Sequence, residues 1–91
     1  MLSGNEKPRR SDKAASRAVE GETVIVTPKE GMVRVLNEVG TFIWEQSDGD
    51  NSIDSIAMKI TEEFNVDRTT ALSDVNEFVN DLVEIGVLEF K

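Results

Sequence analysis

Apolar residues change their spacing once along this chain. Up to Leu36 they alternate with polar ones; from Asn37 onward they recur every three or four residues. Alternation marks half-buried strands, and the longer period marks helices with one buried stripe. Three short strands are expected in a meander: Arg17–Glu20, Thr23–Thr27 and Met32–Leu36. The middle one is rich in β-branched residues, which suit a pleated surface. Gly21-Glu22 and Pro28-Lys29-Glu30-Gly31 read as the turns between them. In the last strand Met32, Arg34 and Leu36 point one way, and Val33 and Val35 the other.

Asn37 is placed to cap a first helix running from Glu38 to Gln46 or Ser47. Phe42, Ile43 and Trp44 concentrate apolar surface on it, and Gly40 in its first turn allows another backbone to lie close. Asp48-Gly49-Asp50-Asn51 reads as a turn, with Gly49 suited to ending that helix in the left-handed conformation. Asn51 or Ser52 caps a second helix whose stripe is Ile53, Ile56, Ala57, Ile60 and Phe64. Asp67 caps a third, with Ala71, Leu72, Val75, Phe78, Val79, Leu82 and Ile85 on its apolar face. Gly86 ends it, and Val87–Phe90 continues as a short strand or an extended end. The fold class is therefore α+β: an N-terminal three-stranded antiparallel sheet followed by three helices. Residues 1–15 lack an apolar period and read as a flexible basic tail, leaving 16–91 as the folded domain.

Composition narrows the chemistry. The 91 residues contain neither Cys nor His, which removes thiolates, the commonest general base and the commonest neutral metal ligand. No glycine-rich phosphate loop precedes a helix. The acids at Asp48, Asp50 and Asp54 are as dense as in a calcium loop, but Lys59 stands where that motif has its closing Glu. No catalytic residue, cofactor or metal is expected. No apolar run approaches a membrane span, and the first ten residues have no signal core, so a cytoplasmic protein is the default.

Net charge is −8, and it is uneven. Residues 1–20 hold five bases against three acids, a balance of +2, which leaves −10 on the rest. A folded part that acidic repels nucleic acid and anionic membrane. On the third helix Asp74, Glu77, Asp81 and Glu84 fall in one stripe beside the apolar face, and the only base on that helix is Arg68. Like charges three or four apart repel by a few tenths of a kcal/mol. Repulsion left uncompensated within the chain points to a cation from outside. The sheet offers a second hint. Three strands leave two unpaired edges, and Val33-Arg34-Val35, with one charge and no Pro, is poorly protected against accepting a further strand.

The order of parts, with Leu36-Asn37-x-x-Gly40-x-x-Ile43-Trp44, Asp48-Gly49, Asp74-Val75 with Phe78 and Leu82, and a closing Gly86-Val87-Leu88, resembles the PqqD family of pyrroloquinoline quinone biosynthesis. The resemblance spans roughly residues 17–90. It implies a winged-helix-like domain without catalytic activity that recognises the leader of a ribosomally made precursor peptide. The leader adds to the third strand and lies between it and the third helix. The domain presents the precursor to a modifying enzyme, often a radical S-adenosylmethionine protein. Carried onto this sequence, the implied peptide contacts are Val33, Arg34 and Val35 on the strand and Asp74, Val75, Phe78 and Asp81 on the helix.

Two other readings compete. A winged-helix DNA-binding domain shares the architecture but needs bases where this third helix carries acids. A structural module is the other, since a bare strand edge permits a homodimer.

Overall fold

The computed structural model describes residues 4–27, 31 and 33–91. Its central sheet is built on a two-residue hairpin. Strands Ala15–Val19 (β2) and Glu22–Val26 (β3) meet at Glu20-Gly21, and both loop residues have positive φ, 51° and 83°. That is the turn whose twist matches a right-handed hairpin, and glycine fills its second position without a steric cost. Val33–Leu36 (β4) pairs antiparallel on the other side of β3, giving the order β2-β3-β4. The expected turn at Pro28–Glu30 and the strand position of Met32 lie outside the described residues.

Alternation decides which sheet face is covered. Thr23, Ile25 and Thr27 of the β3 segment are buried, as is Leu36. Val26, Val33 and Val35 look outward and stay exposed. The helices Glu38–Gln46 (α1), Ile53–Phe64 (α2) and Arg68–Glu84 (α3) pack on the inner face. Their stripes supply Ile43, Trp44, Ile53, Ile56, Ile60, Val75, Val79 and Leu82 to the core. Phe42 and Phe64 close its margin edge to face, with ring centroids 5.5 Å apart.

The helix ends follow the sequence closely. The Asn37 side chain accepts from the Gly40 N–H at 2.9 Å, and Ser52 accepts from Ser55. Asp67 occupies the third cap position without a side-chain bond. At the end of α3 Gly86 has φ of 85°; its N–H donates to Val83, and the Val87 N–H donates to Leu82. These two bonds with a buried Val87 form a Schellman cap. The end of α1 differs from expectation. Gly49 does have positive φ, but it lies beyond the helix, which closes at Ser47. Its last carbonyls, on Trp44 and Glu45, instead accept from the Arg10 guanidinium at 2.7 and 3.0 Å.

Arg10 belongs to the segment expected to be a tail, and that expectation is corrected for residues 4–15. Pro8–Arg10 (β1) pairs antiparallel with Leu88–Phe90 (β5), forming a second, two-stranded sheet. Pro8 is buried, and the Gly49 N–H donates to its carbonyl. Further bonds run from Arg10 N to Ser47 O and from Ser11 N to Val87 O. The final strand thus has a partner, and the sheet-forming region begins ahead of residue 16.

Candidate functional site: a strand edge beside an acidic groove

The hairpin fixes which backbone groups face outward. A two-residue loop makes Val19 and Glu22 the closing pair, exchanging both hydrogen bonds; from there bonded and non-bonded pairs alternate. Thr23 and Ile25 consequently bond toward β4, through their partners Leu36 and Arg34. The N–H and C=O groups of Val33 and Val35 are then turned to the far side. Among the described residues no strand lies there.

A groove of about 460 Å³ runs beside this edge. Its strand side is Val35 and Leu36, and its floor is Val39, Gly40 and Ile43 of α1 with Phe78 of α3. Gly40 shapes the floor. A Cβ there would sit 3.1 Å from the Phe78 ring and 3.3 Å from Leu36 Cβ, so the missing side chain lets the Phe78 ring, rather than the expected backbone, lie against α1. Asp74, Glu77 and Asp81 form the far wall. These three are one helical turn apart, on the margin of the stripe that α3 buries. Among the described residues the ion pairs are Arg9–Glu89 and Lys91–Asp50, and neither reaches the groove.

Of the seven residues implied as peptide contacts, Val35, Asp74, Phe78 and Asp81 line this groove together. Val33 stands exposed on the same strand, two residues along. Arg34 is exposed and on the inward face by alternation, outside the groove lining. Val75 is different: it is fully buried in the core with Ala71, Val79 and Leu82. The helical period explains this, because Val75 is four residues from each of Ala71 and Val79, at the centre of the buried stripe. Its assignment as a contact is corrected to a packing role. Val39, Gly40 and Ile43 were not singled out as contacts; the Gly beside a cap and a large apolar cluster was the signal for a close approach.

Asp48 has a structural task. The Asp48 carboxylate accepts from the N–H groups of Asp50 and Asn51 at 2.9 and 3.1 Å. The bond from Asp50, more than any other influence, holds its carboxyl below the usual aspartate range. Among the described residues no three acids stand close enough to hold a metal ion, and no helix is long and apolar enough to cross a membrane.

A short open sheet backed by three helices, with one edge strand facing a helix-walled groove, defines a small α+β domain of winged-helix type. The family model for coenzyme PQQ synthesis protein D matches residues 22–88, and the chain belongs to this PqqD family. Three solved structures share the fold. TbiB1 in complex with the TbiA(beta) leader peptide is 28% identical, with a TM-score of 0.80 over 89% of this chain and 94% of that one. Lasso peptide synthetase B1 complexed with its leader peptide is 23% identical, with a TM-score of 0.80 over 91% and 98%. The PqqD truncation of Methylobacterium extorquens PqqCD, a stand-alone recognition element for ribosomally synthesized and post-translationally modified peptides, is 22% identical, with a TM-score of 0.79 over 98% and 95%. No curated protein is significantly similar in sequence.

Proposed function

We propose that this protein binds the leader segment of a ribosomally made precursor peptide by strand addition to β4 and presents it to a modifying enzyme, with no catalysis of its own. A radical S-adenosylmethionine enzyme is one such partner, and the cytoplasm, where precursors are made, is the working compartment. The observation that carries this reading is the unpaired β4 edge standing over an apolar, acid-walled groove. The leader-bound states of the TbiB1 and lasso B1 relatives support it.

The register sets the leader's chemistry. Residues opposite Val33 and Val35 share their outward face, while those opposite Arg34 and Leu36 face the groove. A large apolar residue opposite Leu36 would rest on Gly40 and Phe78. A Lys or Arg within reach of Asp74 or Asp81 would meet carboxylates that pair with no base among the described residues.

Val35→Pro tests the reading. Proline is tolerated on an edge whose N–H faces outward, so the fold should survive. The leader would lose one backbone bond, worth about 0.5–1.5 kcal/mol, and its acceptor would be left unpaired at about 1–3 kcal/mol. Calorimetric titration with the cognate leader should show affinity reduced at least tenfold. An unchanged affinity would remove strand addition from the account, and an unchanged affinity in Asp81→Lys would remove the charge.

A further inference from the structure

The hairpin that turns Val33 and Val35 outward on one border of the sheet does the same for Ser16 and Ala18 on the other. Counting from the Val19–Glu22 pair, their N–H and C=O groups point away from β3. No strand pairs with β2 on that side among the described residues, and all five β2 residues are exposed. A trough runs along this border as well. One part, about 240 Å³, lies between Ser16, Ala18 and Thr23 on the sheet and Trp44 and Glu45 of α1. It continues, past Arg10 and Ser16, into a second part of about 360 Å³ beside residues 9–14.

The two borders differ in charge. The groove at β4 is walled by Asp74, Glu77 and Asp81. The segment 7–20 that carries β2 holds Lys7, Arg9, Arg10, Lys13 and Arg17 against Asp12 and Glu20, with Arg9 paired to Glu89. Glu45 and Asp48 across the trough offset part of this. Asp48 already accepts backbone bonds from its own turn, and Arg10 is committed to the end of α1. Arg17 and Lys13 are exposed and pair with no acid among the described residues. Arg17 projects from the outer face between Ser16 and Ala18, where an added strand would place a residue directly beside it.

We propose that the β2 border is a second strand-accepting site, occupied by an extended acidic segment of the modifying enzyme. A second copy pairing through its own β2 is the poorer occupant, because it would bring Arg17 to Arg17 and like charges across strands are destabilising. The proposal rests on the adaptor reading above for the owner of that segment, not for the existence of the site. Filling both borders at once would make the sheet five-stranded, with leader and enzyme at opposite ends of one hydrogen-bonded array.

Amide-resolved NMR of the full chain tests it with two blocked pentapeptides, Thr-Val-Glu-Val-Thr and Thr-Val-Lys-Val-Thr. The glutamate peptide should shift the Ser16 and Ala18 amides, and the lysine peptide those of Val33 and Val35. Ala18→Pro should weaken the glutamate peptide at least tenfold while leaving leader affinity and the lysine peptide unchanged, which also shows that the variant is folded. Arg17→Glu should abolish the preference for glutamate at this border. The proposal is overturned if the glutamate peptide leaves Ser16 and Ala18 unshifted, if Ala18→Pro binds it as the unaltered chain does, or if the lysine peptide binds β2 equally well. Titration of the unaltered chain with the leader judges the earlier reading separately: a leader that fails to bind while the glutamate peptide still finds β2 removes the groove assignment alone.

Discussion

Replacing Gly40 with alanine separates stability from recognition. Gly40 is the third residue of α1, and its N–H is held by the Asn37 side chain. Alanine there gains at most about 1 kcal/mol of helix propensity. The new Cβ meets the Phe78 ring at 3.1 Å, Leu36 Cβ at 3.3 Å and Asn37 Oδ1 at 3.4 Å. The ring is half-buried and borders the open groove, so it can give by a few tenths of an ångström at a cost of about 1 kcal/mol. These terms roughly cancel, and the melting temperature should stay within about 4–8 °C of the parent, the range 1 kcal/mol produces in a domain this small. Recognition has no such compensation. A methyl on the groove floor takes about one methylene of burial from the leader, about 0.8 kcal/mol, and the displaced ring takes comparable room. Binding should weaken by about 1–2 kcal/mol, or five- to thirtyfold. Thermal melting by circular dichroism and calorimetric leader titration read the two quantities independently. Unaltered leader affinity in a folded Gly40→Ala protein would refute the idea that this floor seats a leader side chain.

Three further outcomes are expected. Val75→Ala should cost about 2 kcal/mol in denaturant unfolding, from lost burial and a residual cavity, yet leave leader affinity of the folded protein unchanged; weakened binding would return Val75 to the groove. Arg10→Ala should destabilise by about 1.5–3 kcal/mol, because it removes charge-assisted bonds to the Trp44 and Glu45 carbonyls, and loss of protection at α1 in amide hydrogen exchange would localise the effect. The Asp48 carboxyl has its folded pKa lowered chiefly by the Asp50 N–H, so its contribution is present above the unfolded aspartate value and is lost as pH falls through the depressed folded value. Asp48→Asn should therefore flatten the acid limb of the stability–pH profile, and an unchanged limb would mean that other carboxylates set it.

Much of this fold could be read from local chemistry. Asn37, Ser52 and Gly86 act at helix ends because each solves a problem within one turn of itself. The alternation likewise sorts Val33 and Val35 onto one face and Leu36 onto the other, which is the face the helices cover. The pairing of β1 with β5 was invisible for a physical reason. Its stability comes from a partner eighty residues away, and of Pro8-Arg9-Arg10 only the proline is buried. The capping of α1 by Arg10 is hidden for the same reason: a long-range bond leaves no period in the sequence. For the site, the acid stripe and bare edge were legible from spacing. Val75 lies about 100° round the helix from Asp74, which turns it into the core instead of the groove.

Because β1 and β5 run side by side, with the Lys91 N–H donating to the Lys7 carbonyl at 3.0 Å, the first and last strands meet at one spot on the surface. A polypeptide so arranged behaves as a cassette. With β1 and β5 adjacent, the folded unit between them can be spliced into a host protein's loop through two neighbouring junctions, with little rearrangement of what lies between.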